Sequence, residues 1–131
     1  MNKTYRILVL EDEPLILMDL ELAGEDRGCT VLSSTSCHEA LGHLNNEGSV
    51  HAAILDVTLA EGCTSIPVAE ELNARGIPFL LHSGDLDRHE ERLRTLHAPL
   101  MAKPAAAEKV IAAAIAMYEG RHSEGPRLAA E

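Results

Sequence analysis

Polar side chains that could hold a cation or a phosphoryl group follow four of the apolar runs in this sequence. Glu11 and Asp12 come directly after the first run, and Asp56 lies at the end of the third. Ser83 follows the fourth run and Lys103 follows the fifth. Mg²⁺ prefers carboxylate oxygens, and a carboxylate on an apolar strand is costly to bury unless a cation lies beside it. These residues predict a magnesium site in which Asp56 is a nucleophile and the hydroxyl and ammonium groups bind phosphoryl oxygens.

Five short apolar runs alternate with longer amphipathic segments, which predicts an α/β fold with helices on both faces of a parallel sheet. Sites in such folds form at the carboxyl ends of the strands, so the four polar positions are expected to meet there. We predict a doubly wound five-stranded parallel sheet with five helices. The predicted strands are 6–10, 30–33, 52–57, 77–81 and 99–102, and the predicted helices are about 14–27, 36–48, 66–75, 87–96 and 105–119.

Residues that start and stop helices support these boundaries. Pro14 suits the first turn of the first helix, and Gly28 suits its end. Ser36 with Glu39 three residues later forms a capping-box pattern, and Gly76 suits the C-terminal end of the third helix. Two apolar series recur at helical spacing in the first helix: Leu15, Met18 and Leu22, and Ile16, Leu20 and Ala23.

Length and composition restrict the function classes. The 131 residues fit one domain, which we place at 1–119, with a flexible tail at 120–131. The net charge is −10, from 21 acidic and 11 basic residues with no basic stripe, so nucleic acid is not expected as a partner. No apolar run suits a membrane span or a signal peptide, and the three cysteines form no CxxC pair. The sequence therefore predicts a cytoplasmic protein that binds no membrane.

The polar segments, taken in order, resemble those of a two-component response-regulator receiver domain. The resemblance covers about residues 4–119 and rests on LVLEDE after the first strand, ILDV at the third, SG after the fourth and KP after the fifth. Each fragment is a weak signal by itself, whereas all four in order at the right strand ends are specific. The resemblance implies a flavodoxin-like receiver fold and a function in phosphotransfer signalling.

The resemblance assigns the metal site and the phosphoacceptor. Glu11 and Asp12 correspond to the acidic pair that holds Mg²⁺ in the family, and Asp56 corresponds to the phosphoacceptor and a metal ligand. Thr58, two residues further on, corresponds to the position whose backbone carbonyl binds the metal. The implied cofactor is therefore Mg²⁺, held by these four residues.

The rest of the family pattern concerns phosphoryl binding and switching. Ser83 matches the switch hydroxyl and Lys103 the family's lysine, whose bond to Pro104 is expected to be cis by analogy. Many members carry Tyr or Phe three residues before the lysine, where this chain has Leu100. The segment IPFLLHSG resembles a subgroup that lacks this aromatic and carries an F-x-x-T-G-like motif, although Ala105 stands where that subgroup has an aromatic. Switching is therefore expected to use the loop after Ser83 and the helix that follows it.

These matches imply that a sensor histidine kinase or a phosphotransfer protein donates a phosphoryl group to Asp56. The chain then either switches its binding to a separate, unidentified downstream protein or acts as a phosphate sink, and it is not expected to be an enzyme. One alternative is a non-phosphorylated receiver-like interaction module, because the aromatic switch residue is missing. Another is a small aspartyl-phosphate phosphatase, but such enzymes place a second aspartate where Thr58 stands.

Overall fold

A single parallel sheet organises the chain, which the computed structural model describes over residues 4–46, 49–57, 65–83 and 98–123. Its five strands lie in the order β2-β1-β3-β4-β5, all parallel, and this confirms the predicted doubly wound α/β fold. The predicted helix at 87–96 lies outside the described residues. The strands are β1 Arg6–Leu10, β2 Thr30–Ser34, β3 Ala52–Asp56, β4 Phe79–Ser83 and β5 Leu100–Ala102, and the described helices are α1 Pro14–Asp26, α2 Cys37–Asn46, α3 Ile66–Arg75 and α4 Ala107–Ser123.

Each face of the sheet has its own hydrophobic core. On one face, Val9 and Ile54 pack with Ile111 beneath α1 and α4. On the other face, Leu8 and Leu55 belong to the cluster that α2 and α3 cover. Burying each such side chain contributes about 1.5–3 kcal/mol. Because the central strands are held from both sides, their carboxyl ends form a fixed platform for the residues that follow them.

The helix boundaries follow local signals that the sequence contains. Pro14 begins α1, and Gly76, in the left-handed conformation with φ 74°, ends α3. The hydroxyl of Ser36 accepts the Glu39 N–H at 3.1 Å, as the capping-box pattern predicts. The Glu39 carboxylate accepts the Thr35 N–H at 2.7 Å and the Thr35 hydroxyl at 3.0 Å. In a standard capping box it would accept the N–H of Ser36, so here its partner is the residue before the N-cap.

Several boundaries differ from the prediction by a few residues, and those of β4 and α4 have local reasons. Strand β4 begins at Phe79 because the Ile77 N–H donates to the Leu72 carbonyl at 2.9 Å and Pro78 has no N–H for the sheet. Helix α4 begins at Ala107, two residues late, and continues to Ser123, so residues 120–123 are helical and are not part of a tail. A single glycine such as Gly120 costs a helix only about 1 kcal/mol and does not end it.

Two further sequence expectations concern the thiols and the membrane. Cys29 and Cys37 are free cysteines, and Cys63 lies outside the described residues. Over the described ranges, no helix combines the length and the apolar composition that crossing a bilayer requires.

Gly24 allows α1 to lie close to β2. A Cβ at this position would come within 2.5 Å of the Val31 Cγ2 atom and 3.6 Å of the Ile111 Cδ1 atom. Valine is stiff at χ1, so the helix would have to shift. We expect Gly24→Ala to lower the free energy of unfolding by about 1–3 kcal/mol through overpacking, despite the better helix propensity of alanine.

Gly42 in α2 is the matched control for this prediction, because a Cβ there would meet nothing within 4 Å. Gly42→Ala should raise the free energy of unfolding by about 0.5–1 kcal/mol. Urea denaturation of both variants measures the two effects. If Gly24→Ala were as stabilising as Gly42→Ala, the close approach of α1 to β2 would be wrong.

Candidate functional site

The charged residues singled out in the sequence meet at the carboxyl edge of the sheet. Glu11 and Asp12 follow β1, Asp56 ends β3, and Lys103 follows β5. Strand β1 lies between β2 and β3, so the chain crosses to one side of β1 for β2 and to the other side for β3. The direction in which the sheet grows therefore reverses at β1. Ligand sites of open α/β sheets form at this kind of switch point.

Three carboxylates form a compact cluster at this point. One oxygen from each of Glu11, Asp12 and Asp56 lies within 4.8 Å of the other two. Glu11 is 1% exposed and Asp56 is 4% exposed, whereas Asp12 is half-buried. The Glu13 N–H donates to the Glu11 Oε2 atom at 3.1 Å, which helps to orient that carboxylate. A cluster with only oxygen donors suits a hard divalent cation such as Mg²⁺.

Lys103 brings a positive charge to the cluster. Its Nζ atom lies 3.0 Å from the Glu11 Oε1 atom and 3.3 Å from the Asp56 Oδ1 atom. Its backbone N–H donates to the Ser83 carbonyl at 2.7 Å, which ties the end of β5 to the end of β4. The Lys103–Pro104 peptide bond is cis, as the resemblance implies. The ammonium group therefore lies within reach of anything bound to Asp56.

Burial makes the ionised form of Asp56 unfavourable. It raises the pKa of Asp56 from 3.8 to about 7, helped by the negative charge of Glu11 and opposed by Lys103. Burial lowers the pKa of Lys103, but the hydrogen bond to Glu11 and the charge of Asp56 outweigh it, so the net shift is upward. Two buried carboxylates thus share one ammonium group, and the cluster favours a further positive charge.

Of the two other predicted site residues, Ser83 and Thr58, the structure describes only Ser83. Ser83 ends β4 and is 4% exposed, so its hydroxyl lies at the same edge of the sheet as the acidic cluster. Thr58, the predicted carbonyl ligand, lies outside the described residues. The structure thus brings together Glu11, Asp12, Asp56 and Lys103, and it places Ser83 at the neighbouring strand end.

Known structures share this fold and this arrangement of strands. The chain is 38% identical to SdrG from Sphingomonas melonis Fr1, over 90% of this chain and 98% of that one, with a TM-score of 0.72. It is 20% identical to a CheY-like response-regulator receiver domain protein from Methanospirillum hungatei JF-1, over 93% and 99% of the two chains, with a TM-score of 0.79. For the receiver domain of the Francisella response regulator 1452, the identity is 21%, the coverage 88% and 98%, and the TM-score 0.72.

This chain belongs to the response-regulator receiver family. No protein-family model and no curated protein matches the sequence. The likeness to solved structures, together with the four motifs at the strand ends, therefore identifies the receiver fold.

The receiver has no aromatic side chain at the position where many relatives are expected to carry one. Leu100 occupies it, at the start of β5 and in register with Leu81 of β4. It is 42% exposed, and it is therefore not packed into the core beside the site. The aromatic side chain that many members of the family carry at this position is therefore absent from this receiver.

Sequence reasoning assigned no functional role to one residue of this region, His82. Alternation along a strand predicts only that it points away from the face of Ser83. In the structure it is 2% exposed and lies in register with Asp56 on β3 and Met101 on β5. Burial lowers its pKa, and so does the charge of Lys103. A histidine inside the apolar run FLLHS, next to the strand that ends in Asp56, was the available signal.

Proposed function

We propose that this receiver accepts a phosphoryl group on Asp56 from the phosphohistidine of a sensor histidine kinase or a phosphotransfer protein. The observation that supports this most directly is the buried cluster in which Lys103 lies 3.0 Å from Glu11 and 3.3 Å from Asp56. The transfer takes place in the cytoplasm, and the phosphorylated receiver changes its binding to a separate protein partner. It is a phosphoacceptor and not a turnover enzyme.

The cluster has the donors that Mg²⁺ requires. Glu11, Asp12 and Asp56 would hold the ion through the oxygens that lie within 4.8 Å of one another, and the carbonyl of Thr58 is a further predicted ligand. The raised pKa of Asp56 supports this fit, because burial first and the negative charge of Glu11 second disfavour its ionised form, which a bound cation would favour. When bound, Mg²⁺ supplies positive charge that favours the ionised carboxylate and the phosphoryl oxygens.

The side chains of the receiver have distinct roles in the transfer. A carboxylate oxygen of Asp56 forms the new bond to phosphorus while the bond between phosphorus and the donor imidazole breaks. The electron pair of that bond returns to the imidazole nitrogen. The ammonium group of Lys103 and the hydroxyl of Ser83 bind the phosphoryl oxygens and stabilise the charge that develops on them. Hydrolysis of the acyl phosphate later restores the carboxylate.

The first helix offers a face for the donor protein. Leu15, Met18 and Leu22 are 68%, 47% and 54% exposed, and their spacing places them on one side of α1. Helix α1 begins at Pro14, two residues after Asp12, so this apolar stripe starts close to the acidic cluster in the sequence. A partner that packs a helix on the stripe brings its phosphohistidine close to Asp56.

Met18→Glu is expected to slow phosphorylation by the partner kinase at least about tenfold, because it places a charge in the centre of the apolar stripe. Phosphorylation by a small phosphodonor should not change, since Met18 lies on the exposed face of α1 and is not one of the three carboxylate residues of the cluster. Timed assays with both donors separate these effects. Ala116→Glu, at an exposed position of α4, is the matched control. Equal slowing with both donors would show that the substitution disturbs the site and not the docking.

Intact mass after incubation with Mg²⁺ and acetyl phosphate tests the proposed function. The wild type should gain one phosphoryl group, and Asp56→Ala should gain none. Chelation of Mg²⁺ should also prevent the gain. If the wild type gained no phosphoryl group from acetyl phosphate or from a kinase, the alternative of a non-phosphorylated interaction module would replace this proposal. Turnover of a generic phosphate ester would instead support a phosphatase.

A further inference from the structure

A cavity of about 210 Å³ adjoins the acidic cluster on the side of α1 and α4. Its walls are α1, the end of β4, and the segment that joins β5 to α4. His82 and Lys103 line it together with Asp19, and the small side chains of Ala105 and Ala107 leave its space open. Lys103 therefore contacts both the acidic cluster and this cavity.

The ring of His82 is held where its polar atoms are not satisfied. Both ring nitrogens are shielded from solvent, and neither has a hydrogen-bond partner within the described part of the chain. Buried polar groups in native proteins are nearly always hydrogen-bonded, and an exception calls for an explanation. Among the described residues, no hydrogen bond holds this ring in place, although the cavity that it lines also has the carboxylate of Asp19 on its wall.

The surroundings of His82 connect it to the chemistry at Asp56. His82 is the register partner of Asp56, and the Val57 N–H donates to the His82 carbonyl at 3.2 Å. The next residue, Ser83, accepts a hydrogen bond from the backbone of Lys103. A phosphoryl group on Asp56 would attract the ammonium group of Lys103 away from Glu11. Because the Lys103 side chain also lines the cavity, its movement would change the shape of the cavity.

We propose that His82 relays the phosphorylation state of Asp56, by moving its ring from the buried position beside the acidic cluster into the cavity under α1. This inference rests on the proposed function. In the cavity, a ring nitrogen can donate to the carboxylate of Asp19, so the movement supplies a hydrogen bond that the resting position lacks. The ring thus provides a switching movement in a receiver that has leucine instead of an aromatic residue at position 100, and it changes the surface between α1 and the start of α4.

NMR of the histidine ring protons in the full chain tests this relay, with phosphorylation followed by intact mass in the same sample. His82→Phe assigns the signal by its loss. Phosphorylation with Mg²⁺ and acetyl phosphate should bring the His82 ring protons into nuclear Overhauser contact with the methyl group of Ala105, which lines the same cavity. Ala107→Leu fills the cavity and should leave phosphorylation intact while preventing movement of the ring. Ala116→Leu, on the exposed side of α4, should keep the wild-type response.

The possible failures are distinguishable. If the phosphorylated wild type shows no new contact between His82 and the cavity wall, the relay is wrong and the proposed function stands. The same holds if the ring moves equally in Ala107→Leu. If mass shows that no phosphorylation occurs, the proposed function and the relay fall together.

Discussion

Asp56→Asn is expected to stabilise the metal-free receiver at neutral pH while it removes the phosphoacceptor. The folded state raises the pKa of Asp56 from 3.8 to about 7. Between these two values the folded state binds more protons than the unfolded state, so this group makes stability fall as pH rises from about 4 to 7. Asparagine carries no charge to bury and escapes this loss. The variant should therefore be more stable than the wild type by roughly 2–4 kcal/mol at pH 8, and its advantage should vanish near pH 4.

Urea denaturation of both proteins between pH 4 and pH 8, without divalent cations, measures this difference. Asp26→Asn at an exposed position of α1 removes the same formal charge and controls for the net charge of −10. Its difference from the wild type should stay small across the range. A wild type that gained stability relative to Asp56→Asn on going from pH 4 to 7 would contradict the burial of an ionisable carboxyl at this position.

Lys103→Met is expected to produce the largest loss of stability in the site, about 3 kcal/mol at pH 8. Methionine keeps much of the length of the lysine stem, but it leaves Glu11 and Asp56 buried without the ammonium group that lies 3.0 Å and 3.3 Å from them. Protonation of Asp56 relieves part of this penalty, so the loss should shrink as the pH falls toward 5. Mg²⁺ should restore much of the stability, because it replaces the missing positive charge in the same cluster.

Thermal unfolding with and without Mg²⁺, at pH 5 and pH 8, checks this expectation. Lys109→Met, at an exposed position of α4, removes a lysine that lies away from the cluster and should change stability by less than about 0.5 kcal/mol. Phosphorylation of Lys103→Met should be slowed even where Mg²⁺ restores the fold, because the lysine also binds the phosphoryl oxygens. A variant as stable as the wild type without Mg²⁺ would show that the three side chains are not a buried, coupled group.

Much of the fold follows from patterns that are local in the sequence. Each described strand overlaps its predicted range, because a run of buried apolar residues has few alternatives to a strand inside a parallel sheet. The cap at Ser36 and the left-handed Gly76 lie where the side chains and the backbone freedom of glycine require them. The helix expected at 87–96 and the carbonyl ligand of Thr58 stay predictions, since both lie outside the described residues.

The orientation of α1 shows where sequence patterns stop being sufficient. Both apolar series in this helix have helical spacing, so either could have faced the core. The structure buries Leu20 and Ala23 and exposes Leu15 and Met18. The close approach at Gly24 helps to select this face, because only a residue without a side chain fits against Val31. Such a choice depends on atoms contributed by the neighbouring strand β2 and by α4 near the other end of the chain, which the spacing within α1 does not show.

The sequence by itself determined which chemistry is available: carboxylates after β1 and at the end of β3, a hydroxyl at the end of β4, and a lysine before a proline after β5. It determined this because parallel strands present their carboxyl ends at one edge, so residues that follow the apolar runs must meet there. Only the tertiary structure decided that Lys103 lies between Glu11 and Asp56 and that burial raises the pKa of Asp56. It also decided that the ring nitrogens of His82 are buried beside a cavity with no hydrogen-bond partner among the described residues. These properties depend on distance, burial and neighbouring charge, which arise only when segments far apart in the chain are packed together.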